Sequence, residues 1–121
     1  MGLVRQTFEI PGRFVSLNEF YRMSPHEQGR VKREHDERVA WCAKAARLRP
    51  CAKRIRYSVT WVEQNRRRDL DNVAFGKKFI QDGLVKAGIL SNDTHHEIAG
   101  FSDEFRYDQK NPRIIVTLEE E

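Results

Sequence analysis

The sequence lacks any long hydrophobic run. Its longest uninterrupted aliphatic stretch is Ile114-Ile115-Val116, far short of the roughly 20 apolar residues a membrane-spanning helix needs. No basic start leads into an apolar segment, so no signal peptide is expected. Cysteine is scarce as well. Cys42 and Cys51 are the only two and have no C-x-x-C spacing, so two reduced, partly buried thiols are expected rather than a disulfide framework. Internal repeats, low-complexity linkers and composition breaks are absent, which leaves one domain over residues 1–121. These absences exclude a membrane or secreted protein and point to a cytoplasmic one.

What the sequence has in abundance is charge, unevenly placed. The formal net charge is +4, but residues 30–78 carry a net +9 and residues 79–121 a net −5. A basic block of this kind is the electrostatic footprint of a phosphate-backbone binder. A solvated helix face whose charges only confer solubility has the same composition.

The hydrophobic periodicity outlines the elements. Val4, Phe8 and Ile10 alternate with polar residues, which predicts a strand stopped by Pro11-Gly12. A loop through Asn18 and Tyr21 leads to Ser24-Pro25-His26-Glu27, which has the form of an N-cap, a proline in the first turn and a capping-box glutamate. The helix that follows buries a stripe through Val31, His35, Val39, Cys42, Ala43 and Ala46 and is expected to end at Arg49-Pro50. Ile55, Tyr57, Val59 and Trp61 mark a second strand. Val73, Phe75, Phe79, Ile80, Leu84 and Ala87 suggest a second helix closed by Gly88. Residues 96–107 and 113–119 read as two antiparallel strands joined through 108–112. The expected fold is α+β, with a mixed four-stranded sheet, two helices packed on it and the order β-α-β-α-β-β.

Asp69 and Asp71 carry the chemical signal. On an extended segment, side chains at i and i+2 project to the same side, so two carboxylates after a strand and before a helix suit a hard divalent cation. Mg²⁺ takes one or two carboxylates and keeps several waters, and Asp93, in the turn after the second helix, offers a third. The bland alternative makes Asp71 an N-cap and Asp93 a turn residue. Arg66, Arg67 and Arg68 immediately precede the pair, and Lys77 and Lys78 follow about two turns later. Such cations suit phosphodiester oxygens, or else form surface salt bridges worth little. His95 and His96 are adjacent, without a second cluster at zinc-ligand spacing.

Asp69-Leu70-Asp71-Asn72-Val73 also fits the D-x-D-x-[TV] loop of haloacid-dehalogenase-like phosphatases. That loop should follow a buried aliphatic strand near the start of a Rossmann-like domain. Here three arginines precede it and only 50 residues follow Asp71. A non-catalytic nucleic-acid-binding module, its acidic pair merely capping the helix, is the other alternative.

Several segments together resemble the RusA family of Holliday junction resolvases, small Mg²⁺-dependent endonucleases of bacteria and their phages. They are Arg66-Arg67-Arg68-Asp69-Leu70-Asp71-Asn72, Gln81-Asp82-Gly83-Leu84-Val85-Lys86-Ala87-Gly88, Asn92-Asp93, the Pro11…Asn18…Tyr21 loop, and Asp103…Asn111-Pro112-Arg113. The resemblance implies that Asp69, Asp71 and Asp93 are the metal-binding acids, holding one or two Mg²⁺ ions. It also implies a lysine in the helix after D-x-D-N. Here that interval is about three residues longer than the family's pattern, and anchoring on Asp82 and Lys86-Ala87-Gly88 assigns the role to Lys78, with Lys77 as the fallback. Three residues is close to one helical turn, so the lysine can keep its direction. The implied protein is a homodimer acting on a four-way DNA junction in the bacterial cytoplasm, in recombination and repair. Arg66, Arg67, Arg68 and Lys77 are then the expected DNA contacts.

Overall fold

A computed structural model describes residues 4–121. The elements, in chain order, are β1 (Arg5–Pro11), α1 (Leu17–Tyr21), α2 (Pro25–Ala45), β2 (Ile55–Glu63), α3 (Leu70–Ala74), α4 (Lys77–Lys86), β3 (Ile98–Tyr107) and β4 (Arg113–Glu120). The α+β class and the mixed four-stranded sheet are as expected. The helices differ in detail: α1 forms where a loop was expected, and the second helix is divided into α3 and α4.

β2 alternates through Trp61 because every second side chain enters the core: Tyr57, Val59 and Trp61 are buried, whereas Arg56 is exposed and Ser58 and Thr60 are half-buried; Val62 and Glu63 at its end are buried as well. The sheet order is β1-β4-β2-β3, with β2 and β3 parallel and the other pairs antiparallel. The last two strands run in opposite directions, as expected, but they do not pair with each other. β2 lies between them, and the 108–112 connection steps across its end. β3 is consequently an edge strand, paired only on one side. This small mixed sheet is not the Rossmann-like parallel sheet that the phosphatase reading requires.

Ser24 caps α2 as its spacing predicts: its Oγ accepts from the Glu27 amide at 3.2 Å. The helix stops well before Pro50. Ala46 is its C-cap, Arg47 adopts φ +60°, and the Leu48 and Arg47 amides donate to the carbonyls of Ala43 and Lys44. That is a Schellman closure with arginine in the left-handed position usually filled by glycine. His35, Val39 and Ala43 of the expected stripe are buried, Val31 and Cys42 are half-buried, and Ala46 is exposed. Both thiols are free, and burial pushes their pKa up.

The helices meet the sheet and each other at two glycines. A Cβ on Gly83 of α4 would come within 2.5 Å of Val39 Cβ and 2.8 Å of the Asp36 carbonyl oxygen on α2. A Cβ on Gly76 would come within 2.8 Å of Phe14 and 3.0 Å of Trp61. Gly76 lies in the break between α3 and α4, so the division of the helix brings its backbone directly onto the aromatic core. That core contains Phe14, Trp61 and Phe79, with the Phe14 and Phe79 rings edge-on at 5.4 Å.

Candidate active site

The chain leaves β2 through Gln64–Arg68 and enters α3 at Asp69. Asp69 is extended (φ −67°, ψ 153°) and stands at the N-cap position, yet its carboxylate makes no capping bond. Asp71 lies in the first helical turn, and its Oδ1 accepts only from the amide of Asn72, at 3.0 Å. Both are exposed, and among the described residues neither pairs with a cation. The expectation of two carboxylates on one extended segment is corrected, since the backbone turns helical between them. Asn72 does the opposite of its neighbours: it is buried, and its Oδ1 accepts from the Asn18 amide at 3.1 Å, fastening α3 to α1.

Asp93 is half-buried in the loop after α4. Its carboxyl neighbours that of Asp82 on α4. Asp82 in turn receives Lys32 Nζ of α2 at 2.6 Å and lies 3.5 Å from Lys78 Nζ. Burial pushes the Asp82 pKa up, but the bond and charge of Lys32, the charge of Lys78 and the neighbouring Asp93 carboxyl outweigh it, and the pKa falls. Lys32 also pairs with Asp36 at 2.5 Å, so one ammonium from α2 balances acids on two helices. Among the described residues, no three His, Cys, Asp or Glu side chains converge closely enough to hold a metal ion. Asp69, Asp71 and Asp93 are therefore not gathered into one cluster. The donor chemistry still fits a hard cation, because Asp69 and Asp71 are adjacent, solvent-facing and uncommitted, and waters complete the shell of such an ion.

The two lysines differ sharply. Lys77 Nζ lies 2.5 Å from Asp103 Oδ2 and 4.7 Å above the centre of the Phe101 ring. Asp103 is held from the core by Trp61 Nε1, which donates to its Oδ1 at 2.8 Å. Lys78, with 60% of its side chain exposed, keeps only the longer contact to Asp82. The arginines divide in the same way. Arg68 turns inward, donating to the Phe14 carbonyl at 2.9 Å and to Glu19 at 2.7 Å, and lying 3.9 Å from Glu63. Arg66 stacks over Tyr107 at 4.6 Å. Arg67 is exposed and has no carboxylate partner among the described residues.

His95 and His96 are exposed, with ring centres 4.2 Å apart. An open groove of about 270 Å³ runs past His95, Asp93 and Gln81 to Phe101. Gln81, which lines it, donates to the Tyr57 hydroxyl, whose pKa burial pushes up to about 12, so this phenol stays neutral. Sequence reasoning missed the structural parts of Asp82 and Asp103. The one available signal was Trp61, a buried indole whose N–H needs an acceptor.

The chain thus carries an acidic pair at a helix start, flanked by cations of which some are tied down and some face solvent. Among curated proteins nothing matches the chain. Residues 18–119 match the family described as Endodeoxyribonuclease RusA, and the protein belongs to that family.

Proposed function

We propose that this protein is a Mg²⁺-dependent endodeoxyribonuclease that resolves four-way DNA junctions by symmetric phosphodiester hydrolysis, acting as a homodimer in recombination and repair in the bacterial cytoplasm. Membership of a nuclease family that acts on branched DNA supports the reaction class. The observation that carries the assignment to residues is that, among the described residues, no cation pairs with Asp69 or Asp71, although five arginines and lysines lie nearby in sequence. A capping carboxylate accepts from the amide two or three residues on, whereas Asp69 makes no such bond and Asp71 meets only the amide of the next residue.

In this reading Asp69 and Asp71 hold the ion, with Asp93 as the third carboxylate. A bound divalent ion supplies a water of lowered pKa and withdraws charge from the phosphoryl oxygens. Lys78, on the exposed side of α4, stabilises the negative charge that develops in the transition state. Arg66 and Arg67 position the DNA backbone without reading sequence. Arg68 and Lys77 contribute by holding neighbouring segments in place.

Incubating pure protein with a four-way junction tests this, first with Mg²⁺ and then with EDTA. Paired nicks that require the metal are expected. Asp71→Asn should abolish cutting while junction binding persists, and an active Asp71→Asn protein would remove Asp71 from the ligand set. No metal-dependent cutting by folded wild-type protein would leave the non-catalytic binding module.

A further inference from the structure

β3 is an edge strand, and residues 101, 103, 105 and 107 project from the sheet face on which the helices lie. Two of its aromatic residues remain open: Phe101 is 53% exposed and Tyr107 is 40% exposed. Each has a cation stacked on it, Lys77 over Phe101 and Arg66 over Tyr107. Single exposed aromatics are ordinary on protein surfaces. Two on one face of one edge strand, each paired with a cation, are a different pattern.

Phe101 is also held in place. Trp61 fixes Asp103, Asp103 fixes Lys77, and the Lys77 ammonium sits over the ring, while buried Tyr57 flanks it at 5.6 Å. An aromatic anchor pre-set in this way loses little freedom when a ligand stacks on it. The same groove presents Phe101, Gln81 and the proposed metal carboxylate Asp93. Tyr107 lies six residues further along the strand, about 20 Å away, beside the arginines that lead into Asp69.

We propose that the face of β3 carrying Phe101 and Tyr107 is a track for unpaired DNA, on which bases released at the branch point stack while Arg66 and Arg67 follow the backbone. Interleaved aromatics and cations are the chemistry by which proteins hold single strands, because every base has a π-face and every linkage a charge. A purely apolar partner would leave Lys77, Arg66 and the polar wall of the groove desolvated. The proposal rests on the nuclease reading for the identity of the substrate, and it assigns what selects a branch over a continuous duplex. Bases in a duplex are already stacked on one another, so the track favours DNA whose stacking is interrupted.

The test is binding without catalysis, in EDTA, using a four-way junction with 2-aminopurine at the branch point and a duplex of the same length. Wild-type protein should change the 2-aminopurine fluorescence on binding. Phe101→Ala and Tyr107→Ala should each weaken junction binding about tenfold and reduce that change, with duplex binding altered less than twofold. Phe101→Trp should restore both readouts, and thermal melting checks that each variant is folded. Unchanged junction affinity and fluorescence in the folded Phe101→Ala, Tyr107→Ala double variant would overturn the track. Selective junction binding that the double variant loses, in a wild-type protein that never cuts DNA with Mg²⁺, would overturn the nuclease reading alone. Failure of wild-type protein to bind the junction would overturn both.

Discussion

Lys77 Nζ and Asp103 Oδ2 are 2.5 Å apart, and this contact separates two lysines that are neighbours in the chain. It leaves Lys77 with a structural duty and Lys78 facing solvent. Asp103→Ala should therefore lower unfolding stability by about 2–3 kcal/mol, since hydrogen bonds from both Trp61 and a charged Lys77 are lost. Lys78→Met should change stability by less than about 0.5 kcal/mol, yet reduce junction cleavage by roughly 10²-fold. Urea unfolding and single-turnover cleavage measure the two effects separately.

The arginines divide by the same logic. Arg67→Ala should weaken DNA binding of any sequence and reduce the slope of log affinity against log salt by about 1, with little effect on folding. Arg68→Ala should cost about 2 kcal/mol of stability, because it removes charged hydrogen bonds to Phe14 and Glu19. Salt titrations of binding, alongside thermal melts, distinguish the two positions.

Arg47 occupies a left-handed conformation, with φ +60°, at the end of α2. Glycine adopts that conformation without steric penalty. Arg47→Gly is expected to stabilise the protein by about 0.5 kcal/mol despite the greater freedom it gives the unfolded chain. Chemical denaturation at constant salt provides the check.

His35 accepts a hydrogen bond from the Val15 amide at 3.1 Å and stacks on Phe14. Burial, with the nearby Arg38 charge, depresses its pKa to about 4, against about 6.5 for an unperturbed histidine. As pH falls the unfolded chain protonates first, so its stabilisation is complete above about pH 6.5. It is lost progressively down to about pH 4 and amounts to roughly 3 kcal/mol at most. His35→Gln can still accept from Val15, and it should show a shallower pH dependence of unfolding between pH 4 and 6.5. An unchanged slope would mean that His35 is not the titrating group.

Local features were legible because their causes are local. The Ser24–Glu27 cap, the alternation along β2 and the charge pattern around Asp69 and Asp71 all lie within a few residues of one another. The end of α2 was misplaced because Pro50 is an obvious stop, whereas the Schellman closure at Arg47 has no glycine to announce it. The break at Gly76 was hidden for another reason. It follows from the approach of Phe14 and Trp61, which are distant in sequence.

By itself, the sequence determined the α+β class and the family, and it supplied the acidic and basic residues proposed for the chemistry. Those properties depend on side-chain type, short-range spacing and motif order. Only the tertiary structure decided which of the cations are free. Arg67 and Arg68 are chemically identical and adjacent, as are Lys77 and Lys78. Arg68 is claimed by Glu19, 49 residues away, and Lys77 by Asp103, 26 residues away. Partners at such distances are brought together by the register of β2 against β3 and by the packing of α1 on α3. These contacts exist only once the sheet and its helices have closed.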